Sequence, residues 1–296
     1  MGIVMGPNQY GKAEVRLVAV DRATSRHGLR DLTVSTALRG KFDEAHYTGD
    51  NTNVLPTDTQ KNTAYAFAKQ APIGAIEDFA LRLGRHFIDT QEPVHGARVL
   101  VEEHPWARIP VGGEGHDHAF HRDGDEARTV AVTLDGSVSH VVAGLKNLVV
   151  LKSTGSEFWG YPKDEYTTLQ ETTDRILSTA VTARWRYLGT DVDWDKSFGE
   201  IRATMLEAFA TTHSYALQQT LYEMGRSVLE KHPEVAEVRL SLPNKHNFLV
   251  DMSPFGMVNE NEVFFAADRP YGLIEGTVTR DDVEPAAAAW YSLPEF

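Results

Sequence analysis

Along the first forty residues, apolar positions recur in the short rhythm of strands. Val15, Leu17 and Val20 mark a strand over Lys12 to Val20, and Leu32, Val34 and Leu38 mark a partner over Arg30 to Leu38. The rhythm then turns helical. Asp58 stands at a helix start, with Thr57 before it and Lys61 in the first turn, and Pro72-Ile73-Gly74 breaks the run. Ile76, Phe79, Ala80, Leu83 and Phe87 keep one face of a second helix from Ala75 to Phe87. Two long strands are expected next, Gly96 to Arg108 and His116 to Leu134, around the turn signal Gly112-Gly113-Glu114-Gly115.

The second half repeats that order. Strands are predicted over His140 to Leu151 and Thr182 to Tyr187, followed by a helix from Asp195 with Phe198, Ile201, Met205, Leu206 and Phe209 on one stripe. A further helix starts near Ser214, carries Leu217, Leu221, Met224 and Val228 on its face, and ends at His232-Pro233. Strands resume at Glu234 to Leu242, Asn247 to Met252 and Gly272 to Val278. Two strands, two helices and two strands thus occur twice, a repeat of pattern without evident sequence identity. The order favours an α+β fold with antiparallel sheets over a parallel α/β sheet.

Composition narrows the function classes. The 296 residues suffice for two domains. With 29 Lys+Arg against 42 Asp+Glu, the net charge of −13 argues against a broad basic face for nucleic acid or an anionic membrane. The absence of cysteine removes disulfides, thiol nucleophiles, iron–sulfur clusters and cysteine-based zinc sites together. No apolar run approaches the length of a membrane helix. The first residues lack a signal-peptide pattern and Leu293-Pro294-Glu295-Phe296 is not a peroxisomal tripeptide, so a cytoplasmic protein is expected.

Familiar motifs are missing. There is no G-x-G-x-x-G after a strand, no Walker A sequence and no G-x-S-x-G elbow. His116-Asp117-His118-Ala119-Phe120-His121 invites a metal reading, but on a strand His116 and His118 share a face that His121 does not. Solvated histidines near a hairpin turn explain it better, and no metal site is expected.

Three polar segments stand out. Asn8-Gln9-Tyr10-Gly11-Lys12 places a lysine at the head of the first strand, although a solvated lysine would read the same way. Thr57-Asp58 opens the first helix, where capping alone could account for both. In Ser241-Leu242-Pro243-Asn244-Lys245-His246, an extended backbone puts Asn244 and His246 on one side and Lys245 on the other.

Joined by Leu151-Lys152-Ser153-Thr154-Gly155-Ser156-Glu157-Phe158-Trp159-Gly160 and the segment Tyr166 to Arg175, these stretches resemble the urate oxidase (uricase) family over nearly the whole chain. The resemblance implies two tandem tunnelling-fold (T-fold) domains, 8–136 and 137–285, each an antiparallel sheet with a pair of helices. It implies cofactor-independent oxidation of urate by O₂ and water to 5-hydroxyisourate and hydrogen peroxide. It also implies a homotetramer around a tunnel, with each active site between two subunits. The missing peroxisomal signal fits a bacterial-type cytoplasmic member. T-fold relatives that act on pterins often use a metal, whereas Arg175, Gln218 and Phe158 favour urate.

The roles carry over position by position. Arg175 matches the arginine that clamps urate, Gln218 the glutamine on the opposite side, and Phe158 the aromatic that stacks on the purine. Leu217 matches a position whose backbone N–H contacts the ligand; a helix capped by Ser214 would hold it in the first turn. Thr57 and Asp58 match residues reaching in from the neighbouring subunit. Lys12 and Thr57 match a proton relay, His246 the histidine associated with that lysine, and Asn244 the residue that helps hold O₂ or water above the ring.

Overall fold

In a computed structural model, which describes residues 2–291, the strand rhythm of the first half becomes one side of a sheet. β1 (Tyr10–Asp21), β2 (Gly28–Gly40), β3 (Val94–Glu103), β6 (Ala127–Asp135) and the start of β7 (Val138–Lys152) follow each other in that order. β1 pairs antiparallel with β2, β2 with β3, and β3 with β6. A short helix, α1 (Asp43–Tyr47), precedes α2 (Thr57–Gln70) and α3 (Ile76–Thr90). The apolar face of α3 packs on β3 and β6, while α2 lies on β1. Phe79, Leu83 and Phe87 meet a floor of Val99, Val101, Val132 and Leu134, all at most 1% exposed.

The two long strands expected over Gly96 to Arg108 and His116 to Leu134 are each broken. β3 stops before His104-Pro105 and β6 begins after Asp123-Gly124. Pro105 has no N–H for a ladder, and Gly124 takes φ of 75°. The pieces between form a separate ribbon of β4 (Trp106–Val111) and β5 (Glu114–Arg122). Buried Asp31 ties that ribbon back: it accepts from Trp106 Nε1 at 2.9 Å and pairs with Arg122 and Arg16.

The chain separates into two units, Met1–Gly144 with Trp185–Lys196 and Asp282–Phe296, and Leu145–Arg184 with Ser197–Asp281. In the second, the order is β7, β8 (Leu177–Tyr187), β9 (Val235–Leu249) and β10 (Phe264–Thr279). α5 (Leu217–Lys231) packs on β9 and β10. α4 (Trp194–Thr211) precedes it, a 3₁₀ turn spans Ser253–Phe255, and α6 (Ala287–Trp290) follows β10. The strands expected at Glu234 to Leu242 and Asn247 to Met252 are one continuous β9, because Pro243 pairs with Leu273 without ending the ladder. Opposite Lys245, β10 shifts register between Ala267 and Gly272. Helix and sheet approach closely in both units. A Cβ at Gly84 would meet Leu134 at 2.7 Å, and one at Gly225 would meet Val278 at 2.6 Å. Leu293-Pro294-Glu295-Phe296 lies outside the described residues.

Candidate active site

In the first unit, Lys12 sits where β1 leaves regular pairing. Its Cα partner is Thr36, but the register shifts before Val15, and Glu14 takes φ of 54°. Such a bulge re-aims the side chains beside it. Gly11 approaches β2 so closely that a Cβ would lie 1.7 Å from the Thr36 carbonyl oxygen. Thr57 and Asp58 open α2, yet neither caps it: Pro56 occupies the N-cap position and no side chain bonds the first turn. Capping therefore does not explain them. The half-buried Thr57 hydroxyl and the free N–H groups of the first turn remain available. Lys61 and Asn62 bond the Asp58 carboxylate and, with the charge of Lys12, hold it below its usual range.

The second unit gathers four of the remaining candidates. Phe158 exchanges backbone hydrogen bonds with Thr172 at 2.8 and 3.0 Å, and the Arg175 N–H donates to Ser156 at 2.9 Å. This sets the Arg175 guanidinium 5.1 Å from the Phe158 ring centre. Burial lowers the proton affinity of Arg175, which stays a cation. Ser156 and Ser214 form a parallel bridge, so the same segment lies beside the head of α5. Ser214 is not the cap of that helix. Ala216 is, and Ser214 instead accepts from Thr220 Oγ1 at 2.8 Å. Leu217 is then the first helical residue, with an N–H that has no acceptor inside the helix, and Gln218 beside it is exposed. A cation, a flat ring, a helix N-terminus and an amide in one place suit a planar anion.

Asn244 and His246 lie on β9 at either side of the β10 shift, facing Gly272 and Ala267 in register. His246 stacks on Phe248 with ring centres 5.7 Å apart.

Other participants gave no local signal. Glu157, next to Phe158, accepts from His213 Nε2 at 2.6 Å and from Trp159 Nε1 at 2.7 Å, which hold its carboxyl below the usual range. Tyr161 stacks on Phe158 at 4.9 Å. Each link is a tertiary or turn contact, so periodicity could not reveal it. The histidine cluster lies on β5, where His116 and His118 pack edge to face at 4.5 Å. Among the described residues, no group of three or more His, Asp or Glu is placed to hold a metal ion.

A sheet-and-helix-pair plan used twice, with residues of interest at helix heads and strand ends, defines a tandem T-fold protein. The uricase family model matches residues 8–133 and 141–275. A uricase of Arthrobacter globiformis is 55% identical over 99% of this chain and 96% of its own. A uricase of Dictyostelium discoideum is 40% identical over 92% and 96%. The crystal structure of the Arthrobacter globiformis uricase superposes with a TM-score of 0.94, covering 98% of this chain and 99% of that one. This chain belongs to the uricase family.

Proposed function

We propose that the chain is a urate oxidase that works as a homotetramer in the cytoplasm, converting urate, O₂ and water to 5-hydroxyisourate and hydrogen peroxide in purine degradation. The grouping of Phe158, Arg175 and the head of α5 in one unit supports this reading most directly. Arg175 donates to one edge of the urate anion and Gln218 binds the opposite edge with donor and acceptor. The Leu217 N–H adds a contact, and Phe158 covers the purine face and excludes water. Thr57 and Asp58 complete the site from the neighbouring subunit, and Asn244 holds O₂ or water above the ring.

Urate is its own electron source. Two electrons pass from it to O₂, which leaves as hydrogen peroxide with two protons, and water supplies the hydroxyl at C5. Flavin, haem and metal have no part in that balance. The protons need a path, and the Thr57 hydroxyl shuttles one only if a base receives it. Lys12 is that partner, and His246 matches the histidine associated with that lysine in the family. The two T-fold domains, 8–136 and 137–285, each hold part of this inventory. The overall negative charge is overridden locally by Arg175, Lys12 and two helix heads. Among the described residues no helix is long and apolar enough to cross a membrane.

Metal-free protein mixed with urate in air should bleach the near-ultraviolet urate band and release peroxide; no turnover overturns the proposal. Tetramers mixed from inactive Thr57→Ala and inactive Arg175→Ala chains should regain activity. No recovery despite verified mixing would mean that each site lies within one chain.

A further inference from the structure

The bulge beside Lys12 is not left to the backbone. Two neighbouring hydroxyls of β2 replace the missing ladder bonds: the Glu14 N–H donates to Ser35 Oγ at 2.9 Å, and the Lys12 N–H donates to Thr36 Oγ1 at 3.4 Å. A backbone held at φ of 54° in a glutamate persists only where its surroundings over-determine it. Thr36 then does something more. Its own hydroxyl donates to Gln60 Oε1 at 2.8 Å, and both residues are buried, Thr36 at 2% exposure and Gln60 at 0%. Gln60 lies on α2 three residues after Thr57, so the two share one side of the helix. The Gln60 Nε2 is also buried with no hydrogen-bond partner. An amide kept in the core with half its capacity unused is costly, which points to a role for the bond it does make.

We infer that Thr36 and Gln60 are positioning residues for the Lys12–Thr57 relay: their hydrogen bond fixes the bulged lysine strand against the first turn of α2. The inference rests on the relay reading of Lys12 and Thr57 given above. A chain runs from the Lys12 N–H through the Thr36 hydroxyl to the Gln60 carbonyl, and it joins two elements that the backbone ladder does not connect. Proton transfer between an amine and a hydroxyl tolerates little error in distance, and a misplacement of about 1 Å costs on the order of a hundredfold in rate.

The test compares Thr36→Val, Thr36→Ser and the double variant Thr36→Val/Gln60→Met. The double variant removes both partners of the Thr36–Gln60 bond, so neither side chain of that pair is left unsatisfied in the core if the single variant fails to fold. Steady-state kinetics with urate should show kcat lowered roughly tenfold to a hundredfold in Thr36→Val and in the double variant. KM should stay within about twofold, and Thr36→Ser should restore most of the rate. In a Lys12→Ala background the same substitutions should cost no further rate, because the distance they set no longer matters. A merely structural role would lower the rate again in that background, and that result overturns the inference. So does an unchanged kcat in a parent enzyme that oxidises urate. A parent with no urate turnover overturns the relay reading itself.

Discussion

Helices α3 and α5 are the same object used in two ways. Both are 15 residues long, and each has at its ninth position the glycine, Gly84 or Gly225, that meets the sheet. Ile76, Phe79, Ala80, Leu83 and Phe87 are buried in one; Leu217, Thr220, Leu221, Met224 and Val228 are buried at the matching positions of the other. The second residue breaks the match. In α3 it is Glu77, fully buried and bound to Arg128 at 2.7 Å, which also pairs with Asp195. In α5 it is the exposed Gln218. One copy commits its helix head to holding the fold, and the other leaves it exposed, as the proposed urate site requires. Duplicated architecture thus permits division of labour at a single position.

Three substitutions test that contrast, beginning with the largest effect. Glu77→Ala removes the buried carboxylate from Arg128 and should cost about 3–5 kcal/mol in urea unfolding, with KM for urate unchanged. A loss below about 1 kcal/mol would show that α3 does not anchor its unit through this pair. Gln218→Leu should do the reverse: urate binding weakens roughly tenfold to a hundredfold, while stability stays within about 0.5 kcal/mol. Loss of stability with binding intact would erase the distinction between the two helices.

The smallest effect concerns the segment beside α5. The hydrogen bonds from His213 and Trp159 lower the pKa of Glu157 on folding. A lowered carboxyl contributes its full stabilisation above its unfolded value, about 4.3, and loses it as pH falls through the folded one. Unfolding midpoints followed downward from neutral pH should therefore show an acid-side decline that is shallower in Glu157→Gln. Identical slopes would mean that this carboxylate does not tie Phe158 to the α5 head.

Much of the fold was legible because sheet and helix periods are local. Val15 and Leu17, or Ile76 through Phe87, announce their element without reference to anything distant. The ribbon of β4 and β5 was not, since alternation runs on past the breaks at Pro105 and Gly124 and the contacts that hold the ribbon, through buried Asp31, are tertiary. Helix starts misled for a related reason. Thr57 and Ser214 have capping chemistry, but Pro56 and Ala216 hold the cap positions, and the Ser214 hydroxyl bonds Thr220 instead. The candidate site was legible only through resemblance, because its residues come from separated segments and none forms a local motif. Thr36 with Gln60 and Glu157 with His213 left no trace in the pattern at all, since each pair is made by tertiary folding.

Gly11 has one more consequence. Strand β1 could in principle slide along β2, and a slip of one residue would turn every side chain to the opposite face. Such a slip would bring Tyr10 or Lys12 to the point where even a single carbon would lie 1.7 Å from the Thr36 carbonyl oxygen. Glycine there acts as the key of a keyed connector: the strand seats in one phase or not at all. The face on which the lysine emerges is thus decided by the neighbour that has no side chain.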